Sequence, residues 1–159
     1  MLRILSAALV MAAFGLSGCQ PSAGTVDPND PAITAVIDSL LNVVMDGAAR
    51  VDADRVLEPA AGPGELTFVT EDVILTGLEP IREQFRATYS GLLRQDQTVI
   101  EKRIRVLSPD GALAIIVAEG TYTDKAGWTS DPVGIGTTIV FVKVNGQWQI
   151  QHAHQSITK

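Results

Sequence analysis

The chain has 159 residues, 18 acidic against 12 basic side chains for a formal net charge of −6 at pH 7, and one cysteine. That length fits one domain, and an acidic chain without clustered Lys and Arg argues against a nucleic-acid partner. A lone cysteine excludes an internal disulfide, so stability has to come from the core.

The N-terminus carries Arg3, an apolar run from Ile4 to Leu16 and then small residues, the layout of a secretory signal and too short for a stable membrane span. Leu16-Ser17-Gly18-Cys19 resembles the lipobox of bacterial lipoproteins, in which cleavage precedes a cysteine whose sulfur carries a diacylglyceryl group. The resemblance implies lipidation of Cys19 and firm anchoring, since two or more acyl chains make release slow. Gln20, where an aspartate would favour inner-membrane retention, implies the outer membrane and a periplasm-facing domain. The expected division is a signal peptide over 1–18, a lipidated tether over 19–30 and a folded domain over 31–159. Residues 20–30 (QPSAGTVDPND) are too small and polar to bury a core, so they read as a flexible tether.

Asp30-Pro31 is a helix start, a capping side chain before a proline whose missing N–H is harmless in the first turn. Ile33, Val36, Ile37, Leu40, Leu41, Val44 and Ala48 then recur at helical spacing and make one apolar stripe. Asp52 or Asp54 can cap a second short helix through Leu57, ahead of the breakers Pro59, Gly62, Pro63 and Gly64. Two short strands follow, 66–69 and 73–76, around Glu71-Asp72. A third helix begins near Glu79-Pro80, with Ile81, Phe85, Tyr89 and Leu92 on its buried face.

From Gln97 the period changes to two, predicting antiparallel strands over 97–107, 112–124, 134–144 and 147–157. Pro109-Asp110-Gly111 turns the first pair, Asn145-Gly146 is a strong hairpin signal for the last, and 125–133 is a looser loop carrying Trp128. The fold class is α+β: a curved antiparallel sheet with helices packed on one face.

Strand alternation puts Trp148, Ile150, His152, His154 and Ser156 on one side of the last strand. A two-residue turn at Asn145-Gly146 sets Phe141 opposite Ile150, Ile139 opposite His152 and Thr137 opposite His154. The expected ligand pocket therefore contains His152, His154, Thr137, Ser156 and Glu119 beneath the helices. Glu119 shares a side with Leu113, Ile115 and Val117, and is read either as a carboxylate directed toward the core or as a rim partner of Arg103 or Arg105. Beside the imidazoles it could serve proton transfer in an isomerase or hydrolase.

His152-x-His154 offers two metal ligands where catalytic zinc needs three, with Glu119 the only obvious third, so no metal is expected. No cofactor is expected either: a glycine-rich phosphate loop is missing from the sequence. Ser156 lacks an acidic orienter for a hydrolytic triad. Trp128 is placed to cover a pocket mouth or to pack on the rim. Val140, Val142 and Val144 give the opposite sheet face more apolar surface than a solvated strand needs, which points to a homodimer.

The layout resembles the nuclear transport factor 2-like superfamily, in particular SnoaL-like and ketosteroid-isomerase-like domains, over about residues 31–157. The residues that carry the resemblance are Asp52-Ala-Asp54 after the first helix, Gly77-Leu-Glu-Pro-Ile81, Val106-Leu-Ser-Pro-Asp110-Gly-Ala112, and the closing Asn145-Gly-Gln-Trp148-Gln-Ile150-Gln-His152-Ala-His154-Gln-Ser156. The last is similar to an ending also found in the association domain of a calmodulin-dependent kinase. The resemblance implies a cone-shaped, cystatin-like roll with a pocket between helices and sheet and pairing through the open sheet face. It leaves three functions open: a small-molecule binder, an acid–base enzyme using Glu119 or a histidine, and a non-catalytic oligomerisation module.

Overall fold

The computed structural model describes residues 26–60, 62 and 66–158. The expected signal peptide, Cys19 and most of the tether lie outside them. Among the described residues, three helices, α1 (Pro31–Ala49), α2 (Ala53–Val56) and α3 (Leu78–Tyr89), accompany six strands: β1 (Thr67–Thr70), β2 (Val73–Thr76), β3 (Leu92–Ser108), β4 (Gly111–Asp124), β5 (Val133–Val144) and β6 (Gln147–Thr158). The strands form one curved sheet in the order β2-β1-β6-β5-β4-β3.

Local chemistry accounts for the boundaries. The Asp30 carboxylate accepts the N–H groups of Ala32 at 2.9 Å and Ile33 at 3.1 Å, capping α1 with Pro31 in its first turn. Just before it, residues 27–30 turn, and the Pro28 carbonyl accepts the Val106 N–H at 2.9 Å. The end of the expected tether is thus fastened to β3. Asp52 caps α2 through the Arg55 N–H at 3.0 Å. Asp54 instead pairs with Arg82 at 2.9 Å and Arg86 at 3.0 Å, tying α2 to α3, and the hydrogen bond from Arg86 holds its carboxyl below the usual carboxylate range. Asn145 and Gly146 both have positive φ, 52° and 82°, the geometry of the tight hairpin turn their sequence demands.

Two expectations change. Helix α3 stops at Tyr89, and Leu92 opens β3, which starts five positions before the expected Gln97. Ser90 and Gly91 separate the two elements. The sheet is mixed rather than purely antiparallel, because β1 runs parallel to β6, with Phe68 beside Ala153 and Thr70 beside Gln155.

The helices cover the sheet face that bears Ala112, Ala114, Ile116, Ile139, Phe141 and Ile150, which with Ile37, Leu41 and Ile81 form the main core. Phe141 and Ile37 are fully buried. Helices α1 and α2 meet at Gly47, where an added Cβ would stand 2.5 Å from the Val56 backbone nitrogen. By length and composition alone α1 could cross a membrane, as many core helices could. Its Ile37 and Leu41 are buried against the sheet.

Candidate functional site

A cavity of about 380 Å³ separates the helices from the sheet. Its origin is readable along β4, whose helix-facing side runs Ala112, Ala114, Ile116, Ala118 and Gly120. Ala112 and Ala114 are packed in the core, whereas Ala118 and Gly120 line the cavity, and above these small residues close packing is not completed. Phe85 and Tyr89 of α3, with ring centroids 5.6 Å apart, form part of the roof, and the Phe68 ring packs against Phe85 in a tilted arrangement at 5.3 Å. Val44 and Met45 of α1 and Ile139 and Ile150 of the sheet complete an apolar wall. The exposed lining residues Glu71, Val73, Gln84 and Thr88 mark the mouth.

The expected pocket residues separate at a β-bulge. Phe141 does pair with Ile150, but the next pair is Val140 with His152, leaving Gln151 as an extra residue on β6. One inserted residue reverses every side chain beyond it. Ile139 therefore faces Ala153 rather than His152, and Thr137 faces Gln155 rather than His154. Ala153, Gln155 and Ile157 line the cavity together with Thr137.

His152, His154 and Ser156 lie on the opposite face and do not line the cavity. His152 Nδ1 shares a 2.7 Å hydrogen bond with Thr67 Oγ1, His154 is exposed, and the Ser156 hydroxyl donates to the Gly136 carbonyl at 3.5 Å. Glu119 does share a side with Leu113, Ile115 and Val117, but that side is the outer one. There it is exposed opposite Thr98. Arg103 pairs with Glu101 instead, at 2.5 Å. Of the five expected pocket residues, Thr137 alone lines the cavity, and the imidazoles and carboxylate invoked for proton transfer are not in it.

What the alternation pattern missed is the set Thr70, Gln155, Gln95, Gln97 and Tyr122, all cavity-lining and uncharged. Gln97 donates to Gln95 at 3.3 Å. Tyr122 is held from outside by Trp128, whose ring meets it edge-on at 5.9 Å. Trp128 thus buttresses the wall. Its loop is ordered by the Asp124 carboxylate, which accepts the N–H groups of Ala126 and Trp128 at 2.8 and 2.9 Å. Burial pushes the Tyr89 phenol up to about 12, so it stays protonated as a donor. Among the described residues, no three of His, Cys, Asp and Glu cluster so as to hold a metal ion.

The outer face is apolar along its centre. Leu113, Ile115 and Val117 of β4 run beside Val140 and Val142 of β5, with His152 and His154 on the β6 flank and Arg103 and Arg105 on the β3 flank. Ile115 and Val117 are each 42% exposed.

The curved sheet with helices over one face is a nuclear transport factor 2-like, cystatin-like α+β fold. The chain belongs to the calcium/calmodulin dependent protein kinase II association domain family, whose model matches residues 32–159. A Xanthomonas campestris protein assigned to the same association domain is similar to it at 23% identity over 79% of this chain and 84% of that one, with a TM-score of 0.61. A ketosteroid isomerase-like protein from Erwinia carotovora atroseptica matches at 19% identity over 79% and 95%, TM-score 0.66. A nuclear transport factor 2-like superfamily protein from Salmonella enterica serovar Typhimurium matches at 18% over 80% and 92%, TM-score 0.72. At these identities the likeness establishes the fold alone. No curated protein matches the sequence.

Proposed function

We propose that this chain is a lipid-anchored, periplasm-facing domain that holds a small molecule between its helices and sheet. The observation that carries the reading is the cavity itself: about 380 Å³, walled by apolar side chains with a few uncharged polar groups among them, which is the composition of a ligand site. Anchoring is supported by the signal-like segment 1–18 and by Cys19 at the lipobox-like position. The acid–base alternative loses its support, because Glu119, His152 and His154 lie across the sheet from the cavity.

A thermal-shift screen with apolar and amphipathic compounds is the direct test. Hits raise the midpoint of the unmodified protein by mass action, and the shift is lost in Ala118→Leu, which fills the cavity floor. A screen in which no compound moves the midpoint defeats the binding reading. Labelled palmitate should enter the protein in cells and fail to enter Cys19→Ser, while equal label in both removes the anchor.

A second reading, self-association, is favoured by a separate observation, the apolar centre of the outer face, and by membership of an association domain family. The two are compatible, since cavity and outer face lie on opposite sides of one sheet. Val140, Val142 and Val144 lie on that outer face, so a homodimer formed through it would leave the cavity free.

A further inference from the structure

Thr70, Gln155 and Thr137 are consecutive neighbours across β1, β6 and β5, all on the helix-covered face and all half-buried. They form one polar row on the β1–β6–β5 part of the floor, with the apolar Phe68, Ala153 and Ile139 as the next row inward and Gln95, Gln97 and Tyr122 on the β3–β4 side. Among the described residues none of the three makes a side-chain hydrogen bond, although each can both donate and accept. Half-buried groups of this kind favour a ligand that pairs with them over an apolar one that leaves them empty-handed.

The charge around the row is equally particular. Among the described lining residues there is no Lys, Arg or His, and Glu71 at the mouth is the one carboxylate. An anion entering here gives up its hydration without meeting a cation, and passes a like charge on the way. The bulge at Gln151 creates this situation: it turns both imidazoles out and brings Gln155 in.

We infer that the cavity selects an uncharged amphiphile, with an apolar body against the Phe68–Ile139 row and one hydroxyl, carbonyl or amide group on Thr70, Gln155 and Thr137, and discriminates against the carboxylate of the same length. This rests on the cavity-binding reading and narrows it to a ligand class.

The test compares decan-1-ol, decanamide, decanoate and decane on the purified full chain by calorimetry and thermal shift. Decan-1-ol and decanamide bind, while decanoate binds at least about tenfold more weakly at pH 8, and its affinity alone rises as the pH falls toward the carboxyl's own pKa. Gln155→Leu, or Thr137→Val, which preserves side-chain volume, weakens the alcohol and amide about fivefold to tenfold and leaves decane unchanged. Decanoate binding as tightly as the alcohol at pH 8 overturns the selectivity and leaves the binding reading intact. Decane binding as well as the alcohol, with both variants silent, overturns the polar row. If none of the four probes binds, the cavity-binding reading itself is lost.

Discussion

On the proposed pairing through the outer face, Ile115→Arg should convert the protein to a monomer whose cavity is unchanged and whose thermal midpoint falls only by what the pairing contributed. Ile115 sits at the centre of the outer face, between Arg103 on β3 and Thr138 on β5, and is 42% exposed in the single chain. In an isolated protomer the substitution touches only solvent and should cost within about 0.5 kcal/mol, as exposed changes usually do. In a two-fold pair the same position occurs on both copies, so one substitution places two guanidinium groups, each beside an Arg103, inside a surface that has lost its water. An unpaired buried charge is destabilising by about 3–5 kcal/mol, which raises the dissociation constant by roughly 10²- to several 10³-fold. Sedimentation velocity reads the change directly, and Ile115→Val keeps the pair. A variant that still sediments as the unmodified protein places any self-association on another surface. Ligand binding is the internal control, because Ile115 and the cavity-lining Ile116 point to opposite faces of the same strand.

This separation of faces was only half legible in the sequence. The capping pair Asp30-Pro31, the Asn145-Gly146 turn and the period-two pattern of β4 and β5 are local signals, and each is found as expected. The valines on one side of β5 and the phenylalanine on the other follow from alternation alone. The bulge at Gln151 has no such signal. Trp148, Ile150, His152, His154 and Ser156 alternate without a break, and a glutamine is at home in a regular strand or as an extra residue. The decision is tertiary: past the bulge the helix-covered face takes Ala153, Gln155 and Ile157 instead of two imidazoles and Ser156, and β1 lies alongside with Thr67 bonded to His152. The parallel β1–β6 pairing was hidden for a related reason, since a four-residue strand carries too little pattern to name its partner. The cavity did leave a trace. Ala118 and Gly120, on the helix-facing side of an interior strand, are missing volume, and volume missing from the middle of a sheet has to reappear as space or as a bulky partner opposite; here it reappears as space, while Ala112 and Ala114 are packed in the core.

The roof of that space carries the second large effect, a loss of stability in alkali that depends on one hydroxyl. Tyr89 packs against Phe85 and the small cluster of Ala53 and Val56, and burial pushes its phenol from 10.0 up to about 12. The buried environment favours the neutral form, whereas the unfolded chain releases the proton near the ordinary value. Below about pH 10 both states hold the proton, and the phenol's contribution to stability is complete. Between about pH 10 and 12 the unfolded state binds fewer protons than the folded one, so stability falls with rising pH, by about 2–3 kcal/mol once the folded-state value is passed. Tyr89→Phe retains the ring and removes the proton, so its stability should lack this component of the decline. Urea unfolding of both proteins at intervals from pH 8 to pH 12 isolates it, because every other titrating group is common to the pair. Parallel curves for the two proteins would mean that water reaches the hydroxyl in the folded state and that the roof over the cavity is open at Tyr89.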